Sequence, residues 1–287
     1  MIAGGSGMVG SSLADYCRSL GDEVLACDHQ SLDIADRDLV LAKLRHDRPD
    51  AVLNCAAWTD VDGCEVDREH ALAANALGPE NLALACLQFN ARFVTISTDY
   101  VFDGEKEGFY TQRDQPQPQS VYGLSKLEGE RRSQTAYART IVVRTGFVFG
   151  PGGNNFLSTI IERAQQGEKL KAIGDAFGTP TYARDLARRL RELAELDLPG
   201  IFHVVNSGDG TSFEGFARAA LDLGGCSSTS VEVVASSSLN RPAPRPRNSR
   251  LRCLLSEALG LTPLPSWTEA LADFVNLNSH TEFAARK

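Results

Sequence analysis

Short apolar runs alternate with helical stretches through the first half of this chain, and that alternation leaves few architectures open. Met1-Ile2-Ala3 leads into a glycine-rich turn and a helix reaching about Leu20. Residues 23–27 read as a second strand, 36–46 as a helix and 51–55 as a third strand. A long helix follows over about 67–89, then strands at 92–97 and 140–144. Strands that are apolar throughout, and separated by helices rather than tight turns, are buried on both faces and need crossover connections. They predict βαβ units and a parallel sheet. The fold class expected is α/β, a Rossmann-type doubly wound parallel sheet.

After Gly150-Pro151-Gly152-Gly153 the alternation loosens. Helices are expected at 155–166, 183–195, 212–223 and 267–276, with strands near 201–205 and 231–234. Residues 236–250 hold three prolines and four arginines, too irregular for one element. This half predicts a smaller C-terminal α/β substrate-binding subdomain over 151–287, against a dinucleotide-binding domain over 1–150 that also takes in about 175–210. The tail after Asn276 is expected to fray.

Charge and cysteine use narrow the partners. A net charge of −8 argues against general binding to nucleic acid or an anionic membrane, though not against a local site for a small anion. No apolar run approaches the roughly 20 residues that span a bilayer, and no signal-peptide pattern opens the chain. The seven cysteines are scattered without a Cys-x-x-Cys pair, as expected of a cytoplasmic protein rather than a disulfide scaffold. The five histidines lack metal-ligand spacing, so no metal site is expected.

The turn after the first strand, Gly4-Gly5-Ser6-Gly7-Met8-Val9-Gly10, carries glycines at every third position. Such a turn lets backbone N–H groups approach a pyrophosphate, with the helix N-terminus adding its positive end; it also reads as a plain turn and helix cap. Asp28 closes the second strand, placed to accept from the adenosine ribose hydroxyls. Its charge repels a 2′-phosphate, so NADH is slightly favoured over NADPH, with Arg37 or Lys43 in reach to reverse that. Only three residues precede Gly4, so the first strand is short or begins upstream.

Tyr122 and Lys126 are four apart in Tyr122-Gly-Leu-Ser-Lys126, and Tyr122 lies 24 residues after Thr98. A helix sets i and i+4 on one face, and a nearby ammonium is expected to lower the phenol pKa toward the working pH. A phenol so tuned exchanges a proton with a carbonyl or alcohol. Thr98, in Ser97-Thr98-Asp99-Tyr100, is expected to add a hydrogen bond, although the same residues make good turn chemistry. Asp99 either orients the threonine or binds substrate.

With these residues assembled, the chain resembles the extended short-chain dehydrogenase/reductases, and within them the dTDP-4-dehydrorhamnose reductase family. The motifs that carry the resemblance are Asn54–Asp62, Asn75–Ala83, Ser97–Gly104, Tyr122 with Lys126, Gly178–Ala187 and Arg241–Ser249. It implies reduction of a 4-keto nucleotide sugar by NADH or NADPH, with Thr98, Tyr122, Lys126 and Asp99 catalytic. It also implies cofactor contacts at Gly4, Gly7, Met8, Val9, Gly10, Asp28, Asp33, Ile34, Ala56, Ala57, Thr59, Asn75, Ser97, Tyr122 and Lys126. Substrate contacts are implied at Thr98, Phe147, Asn155 and Arg245. Two positions depart from the family pattern: Phe147 replaces a usual tryptophan, and His29 a usual arginine.

Several assignments have a second reading. Asn75 serves either a helix break or a proton relay. Trp58 and Phe147 are either core aromatics or ligand walls, and the arginines from 241 to 250 either hold a diphosphate or line a solvated loop. The alternatives for the whole chain are a nucleotide-sugar epimerase of the same superfamily, or a non-catalytic subunit like the methionine adenosyltransferase β-subunit. A homodimer stays open.

Overall fold

The computed structural model describes residues 1–285. The first half runs β1 (Ile2–Ala3), α1 (Met8–Ser19), β2 (Ala26–Cys27), α2 (Arg37–Asp47), β3 (Ala51–Asn54), α3 (Val61–Val66), α4 (Arg68–Leu72) and α5 (Gly78–Phe89). It continues through β4 (Arg92–Thr98), α6 (Val121–Ala136), β5 (Thr140–Thr145) and β6 (Val148–Phe149). The second half holds α7 (Phe156–Gln165), β7 (Leu170–Ile173), β8 (Phe177–Gly178), β9 (Thr181–Tyr182), α8 (Ala183–Leu196) and β10 (Gly200–His203). It ends with β11 (Thr211–Ser212), α9 (Phe213–Leu223), β12 (Val231–Val234), α10 (Leu254–Ala258) and α11 (Trp267–Ala285).

Six strands form one sheet in the order β10-β5-β4-β3-β1-β2, every pair parallel. The chain steps outward from β1 to β2, then returns to β3 on the other side of β1. This reversal opens a crevice at the C-terminal ends of β1 and β3, where open α/β sheets bind ligands. Successive residues of β4 serve opposite layers. Phe93 packs with Val40, Leu44, Leu82 and Cys86 of α2 and α5, whereas Val94 packs with Leu13 of α1 and Leu186, Leu190 and Leu193 of α8. That is the period-two rule of a strand buried on both sides. A separate core under α7, α9 and α11 gathers Phe149, Leu157, Tyr182, Phe216 and Phe274.

The α/β class and the parallel sheet are as the sequence predicts, and several details differ. The second strand shrinks to Ala26–Cys27 because β1 offers only Ile2 and Ala3 for pairing. The long helix over 67–89 is interrupted by a π-helical turn at Ala73–Leu77. In the second half the expected strand at Val231–Val234 pairs in parallel with β7, Leu170–Ile173, which the sequence reading passes over. The last helix runs over Trp267–Ala285. No helix of the described residues is long and apolar enough to cross a membrane. All seven cysteines are free.

Candidate active site

The glycine turn between β1 and α1 is built by close approach. Gly4 has φ +74°, and a Cβ there would sit 2.6 Å from the backbone nitrogen of Ala56. At Gly10 a Cβ would lie 2.1 Å from the Gly4 carbonyl oxygen, so α1 can start this near the turn only without a side chain. Gly7 is exposed and faces room, its nearest neighbour for a Cβ being 3.4 Å away. Gly7 is also the N-cap of α1 and brings no side chain to its first turn, leaving the N–H groups of Met8, Val9 and Gly10 free for an anion. Met8 anchors the turn to the second half: its sulfur accepts from Ser158 Oγ at 3.7 Å and would collide with a Cβ on Gly153.

The other residues expected to contact cofactor follow β2 and β3. Asp28 directly follows β2 and accepts from Ser31 N (2.8 Å) and Ser31 Oγ (2.7 Å), bonds that hold its carboxyl below the usual range. Asp33 Oδ1 caps the Ala35 N–H at 3.0 Å. Ile34 is buried against Gly78, and its carbonyl accepts from Asn81 Nδ2 at 3.0 Å. Ala56 and Ala57 follow β3 half-buried, with Thr59 exposed beyond them. Asn75 is fully buried in the π-helical turn. Its Oδ1 accepts from Trp58 N (2.9 Å) while Nδ2 donates to Trp58 O (3.0 Å) and Ser125 Oγ (3.1 Å). The Asn75 side chain is thus spent on the Trp58 loop and α6, which favours the helix-break reading over the relay.

Thr98 is the last residue of β4, beside Thr145 in the register of β5. Its hydroxyl donates to Asp99 Oδ1 at 3.0 Å and accepts from Tyr100 N at 3.1 Å, and it lies near enough to the Tyr122 phenol to act on its pKa. Tyr122 and Lys126 project from α6, whose N-cap Ser120 accepts from Gly123 N at 3.1 Å. Gly123 must be a glycine, since a Cβ would lie 2.2 Å from the Tyr100 carbonyl oxygen. Thr98 and Tyr122 therefore meet where β4 and the start of α6 converge, with Tyr100 edge-on to Tyr122 at 5.9 Å between ring centres.

The electrostatics correct one expectation. The Tyr122 phenol is pushed up from its ordinary value, not down, because burial outweighs the opposing pull of the Thr98 hydroxyl and the nearby Asp99 charge adds to the rise. Lys126 is not among the main influences on it. Its ammonium donates instead to the Ile96 carbonyl at 2.7 Å, and burial lowers its pKa to about 8 against the opposing pull of Glu130. Sharing a helix face brought the two residues to one site without pairing their charges.

Asp99 is 3% exposed and packed so tightly that a Cβ on Gly146 would fall 2.3 Å from its carboxylate. Burial raises its pKa to about 6, against hydrogen bonds from Ser249 and Thr98. The folded protein therefore holds this proton more tightly than the unfolded chain, whose value is 3.8. Asp99 favours the fold below about pH 4, and that contribution is lost as pH rises through about 6. Asp99→Asn is expected to stabilise the protein at pH 8 by on the order of 1–3 kcal/mol, and little at pH 4. Thermal melts at the two pH values check this; equal shifts at both would refute it.

The residues expected to contact substrate fall in several places. Phe147 adopts φ +47°, costly for a bulky residue, and its ring lies 4.3 Å from that of Phe213. Asn155 is the N-cap of α7; its Oδ1 accepts from Ser158 N (3.0 Å) and its Nδ2 donates to Val148 O (2.8 Å). Arg245 forks onto Asp62, NH1 to Oδ1 at 2.9 Å and NH2 to Oδ2 at 2.7 Å, so the irregular 236–250 segment is tied to α3. A cavity of about 830 Å³ beside it has mixed charge, with Lys106, Arg245, Arg247 and Arg250 facing Asp103, Glu105, Glu107 and Asp175 in its lining. Sequence reasoning missed Asp62, Ser249, Gly146 and Glu130 as members of the site. Asp62 and Ser249 close two of the motifs that carry the family resemblance, and Glu130 lies four residues beyond Lys126 on α6.

A sequence model of the family described as RmlD substrate binding domain matches residues 1–279. The chain is 39% identical over 278 residues to a dTDP-4-dehydrorhamnose reductase of Mycobacterium tuberculosis (strain ATCC 25618 / H37Rv), covering 95% of this chain and 90% of that one. A solved dTDP-4-dehydrorhamnose reductase from Clostridium acetobutylicum is 36% identical with a TM-score of 0.92, over 97% of this chain and 98% of its own. Another, from Bacillus anthracis in complex with NADP, is 32% identical with the same TM-score of 0.92, over 95% and 96%.

Proposed function

The chain belongs to the RmlD substrate binding domain family, and on that premise we propose that it reduces the 4-keto group of dTDP-4-dehydro-L-rhamnose to dTDP-L-rhamnose with NADH or NADPH. The observation that carries this reading is the meeting of Thr98 and Tyr122 at the C-terminal end of β4, on the same sheet edge as the Gly4–Gly10 turn. Relatives that share the fold and bear the name dTDP-4-dehydrorhamnose reductase support it.

The residues fit a dinucleotide. The crevice at the β1–β3 reversal has a glycine cradle and free helix N–H groups for a pyrophosphate, while Asp28, Asp33 and Ile34 border the adenosine side. Lys126, with Tyr122, would hold the nicotinamide ribose. When bound, the nicotinamide supplies the hydride.

The chain's own work is then geometric and protonic. Thr98 would turn its one hydroxyl proton from Asp99 to the ketone oxygen, and Tyr122 gives that oxygen a proton as it gains charge. Burial suits Tyr122 to this role, since a phenol pushed upward keeps its proton until the substrate oxygen demands it. Until substrate binds, the buried Asp99 holds the Thr98 hydroxyl. Phe147, with Asn155 nearby in sequence, would border the sugar, and its diphosphate would fall to Arg247 and Arg250, since Arg245 is held by Asp62 and carboxylates share the cavity. The 1–150 segment with 175–210 would carry the cofactor, and 151–287 mainly the sugar nucleotide. A nucleotide-sugar reductase with seven free cysteines belongs, on this reading, in the cytoplasm.

The test is NADH and NADPH oxidation with dTDP-4-dehydro-L-rhamnose. Turnover with either supports the reading; no oxidation despite measurable cofactor binding refutes the substrate. The cofactor ratio reports on Asp28, which carries a charge where a 2′-phosphate would lie. Asp28→Ser is expected to move the NADPH/NADH ratio of kcat/KM toward NADPH by about tenfold, removing roughly 1.4 kcal/mol of discrimination. An unchanged ratio means that Asp28 does not read this position.

A further inference from the structure

Beneath the catalytic pair on α6 lies an ion pair that the mechanism above does not use. Glu130 and Arg144 have side chains 2% and 4% exposed. Arg144 grips the carboxylate with two bonds, Nε to Oε1 at 2.9 Å and NH2 to Oε2 at 2.7 Å, while its guanidinium lies 5.2 Å over the Phe102 ring. Glu130 Oε1 also accepts from Ser97 Oγ at 2.5 Å. Ser97 stands between Ile96, whose carbonyl receives Lys126, and Thr98. On α6, Tyr122, Lys126 and Glu130 recur every four residues and share a face.

We propose that Glu130 is a positioning residue for the reduction: with Arg144 and Ser97 it locks the end of β4, bearing Thr98 and the Lys126 acceptor, to the helix that carries Tyr122 and Lys126. The inference rests on the reductase reading. A buried ion pair is a poor source of stability, because desolvation of both charges offsets most of their attraction, and a well-packed apolar pair of similar volume does as well. If the pair were only structural, apolar replacement would leave catalysis alone. Here the carboxylate on α6 binds Ser97 of β4 and Arg144 of β5 together, next to the bond that Lys126 makes to Ile96. Its charge also sustains the Lys126 ammonium against burial. The other groups around the pair are Ser97 and Thr98 on β4, Cys55 after β3, and His203 on β10, which burial and Arg144 depress to about 4 and so keep neutral at working pH.

The experiment compares wild type with the apolar double variant Glu130→Met/Arg144→Met and with Glu130→Gln. It reads the melting temperature, cofactor affinity, kcat against pH and the titration of Lys126 by lysine 13C NMR, assigned with Lys126→Arg. The double variant is expected to fold and bind cofactor while kcat falls by about ten- to a hundredfold, the scale of an ångström-level misplacement. In Glu130→Gln, the Lys126 titration and the alkaline limb of kcat are both expected to move to lower pH by about one unit. A folded double variant with wild-type kcat, or a Lys126 titration unmoved in Glu130→Gln, overturns the proposal. If the wild type proves inactive on the sugar, the functional reading fails, while the Lys126 titration still decides whether Glu130 governs that ammonium.

Discussion

Tyr122→Phe is expected to lower kcat by about 10²–10⁴-fold, the range of one general acid, while cofactor affinity changes little. The phenol oxygen is the only atom lost, and the ring keeps its edge-on contact with Tyr100. Thr98 stays in place at the end of β4 with the Tyr100 N–H on its hydroxyl oxygen, so orientation of the ketone survives without the proton. Thr98→Ala should cost less in kcat and more in KM, since it removes an orienting bond. Steady-state kinetics with NADPH and cofactor titration separate the two. A Tyr122→Phe enzyme within tenfold of wild type would remove Tyr122 from the role of proton donor.

The second large effect is expected at the glycine turn. In Gly4→Ala the methyl group would meet backbone atoms of Cys55 and Ala56 at 2.6–2.8 Å, in a left-handed conformation that side chains resist. No flexible side chain is there to yield, so β1 and the segment after β3 must separate. A strained residue of this kind costs on the order of 1–3 kcal/mol, and the pyrophosphate crevice opens with it. We expect a lower melting temperature and cofactor affinity weakened by at least about tenfold, or 1.4 kcal/mol. Gly7→Ala is the informative partner, because its methyl group finds space within the protein and would meet only a bound anion. That variant should keep its melting temperature and lose affinity. Wild-type cofactor binding by Gly4→Ala would refute this account of the turn.

What the sequence discloses here is local. The parallel sheet follows from apolar strands separated by helices, and the cradle from glycines placed between strand and helix. Tyr122 and Lys126 are legible from a spacing of four. Their electrostatic relation is not, because spacing says where side chains start and not how much water surrounds them. Burial reverses the expected direction at Tyr122, and the Ile96 carbonyl takes the Lys126 ammonium. Contacts between distant segments are likewise invisible: Asp62 meets Arg245 across 183 positions, and Glu130 meets Arg144 on another element. The four-residue β7 shows no pattern that sets it apart until β12 pairs with it. Asn155, a substrate candidate by resemblance, has the N-cap duty that Asn often takes.

The π-helical turn at Ala73–Leu77 bears on how this chain can change length. A regular helix advances about 100° and 1.5 Å per residue. The wider turn absorbs an additional residue while keeping Asn75 on the Trp58 backbone and its carbonyl against Gly129, where a Cβ would sit 2.1 Å from that oxygen. Deleting one residue here would let the helix regularise, turning α5 relative to α4 by about 100° and carrying Leu82, Ala83 and Cys86 off the sheet. Inserting one would rotate it the other way. Point substitutions at the exposed Leu72 and Leu77 leave that geometry alone. Descendants of this sequence are thus free to vary at the exposed positions of this stretch, but Asn75 and the residue count between α4 and α5 are frozen.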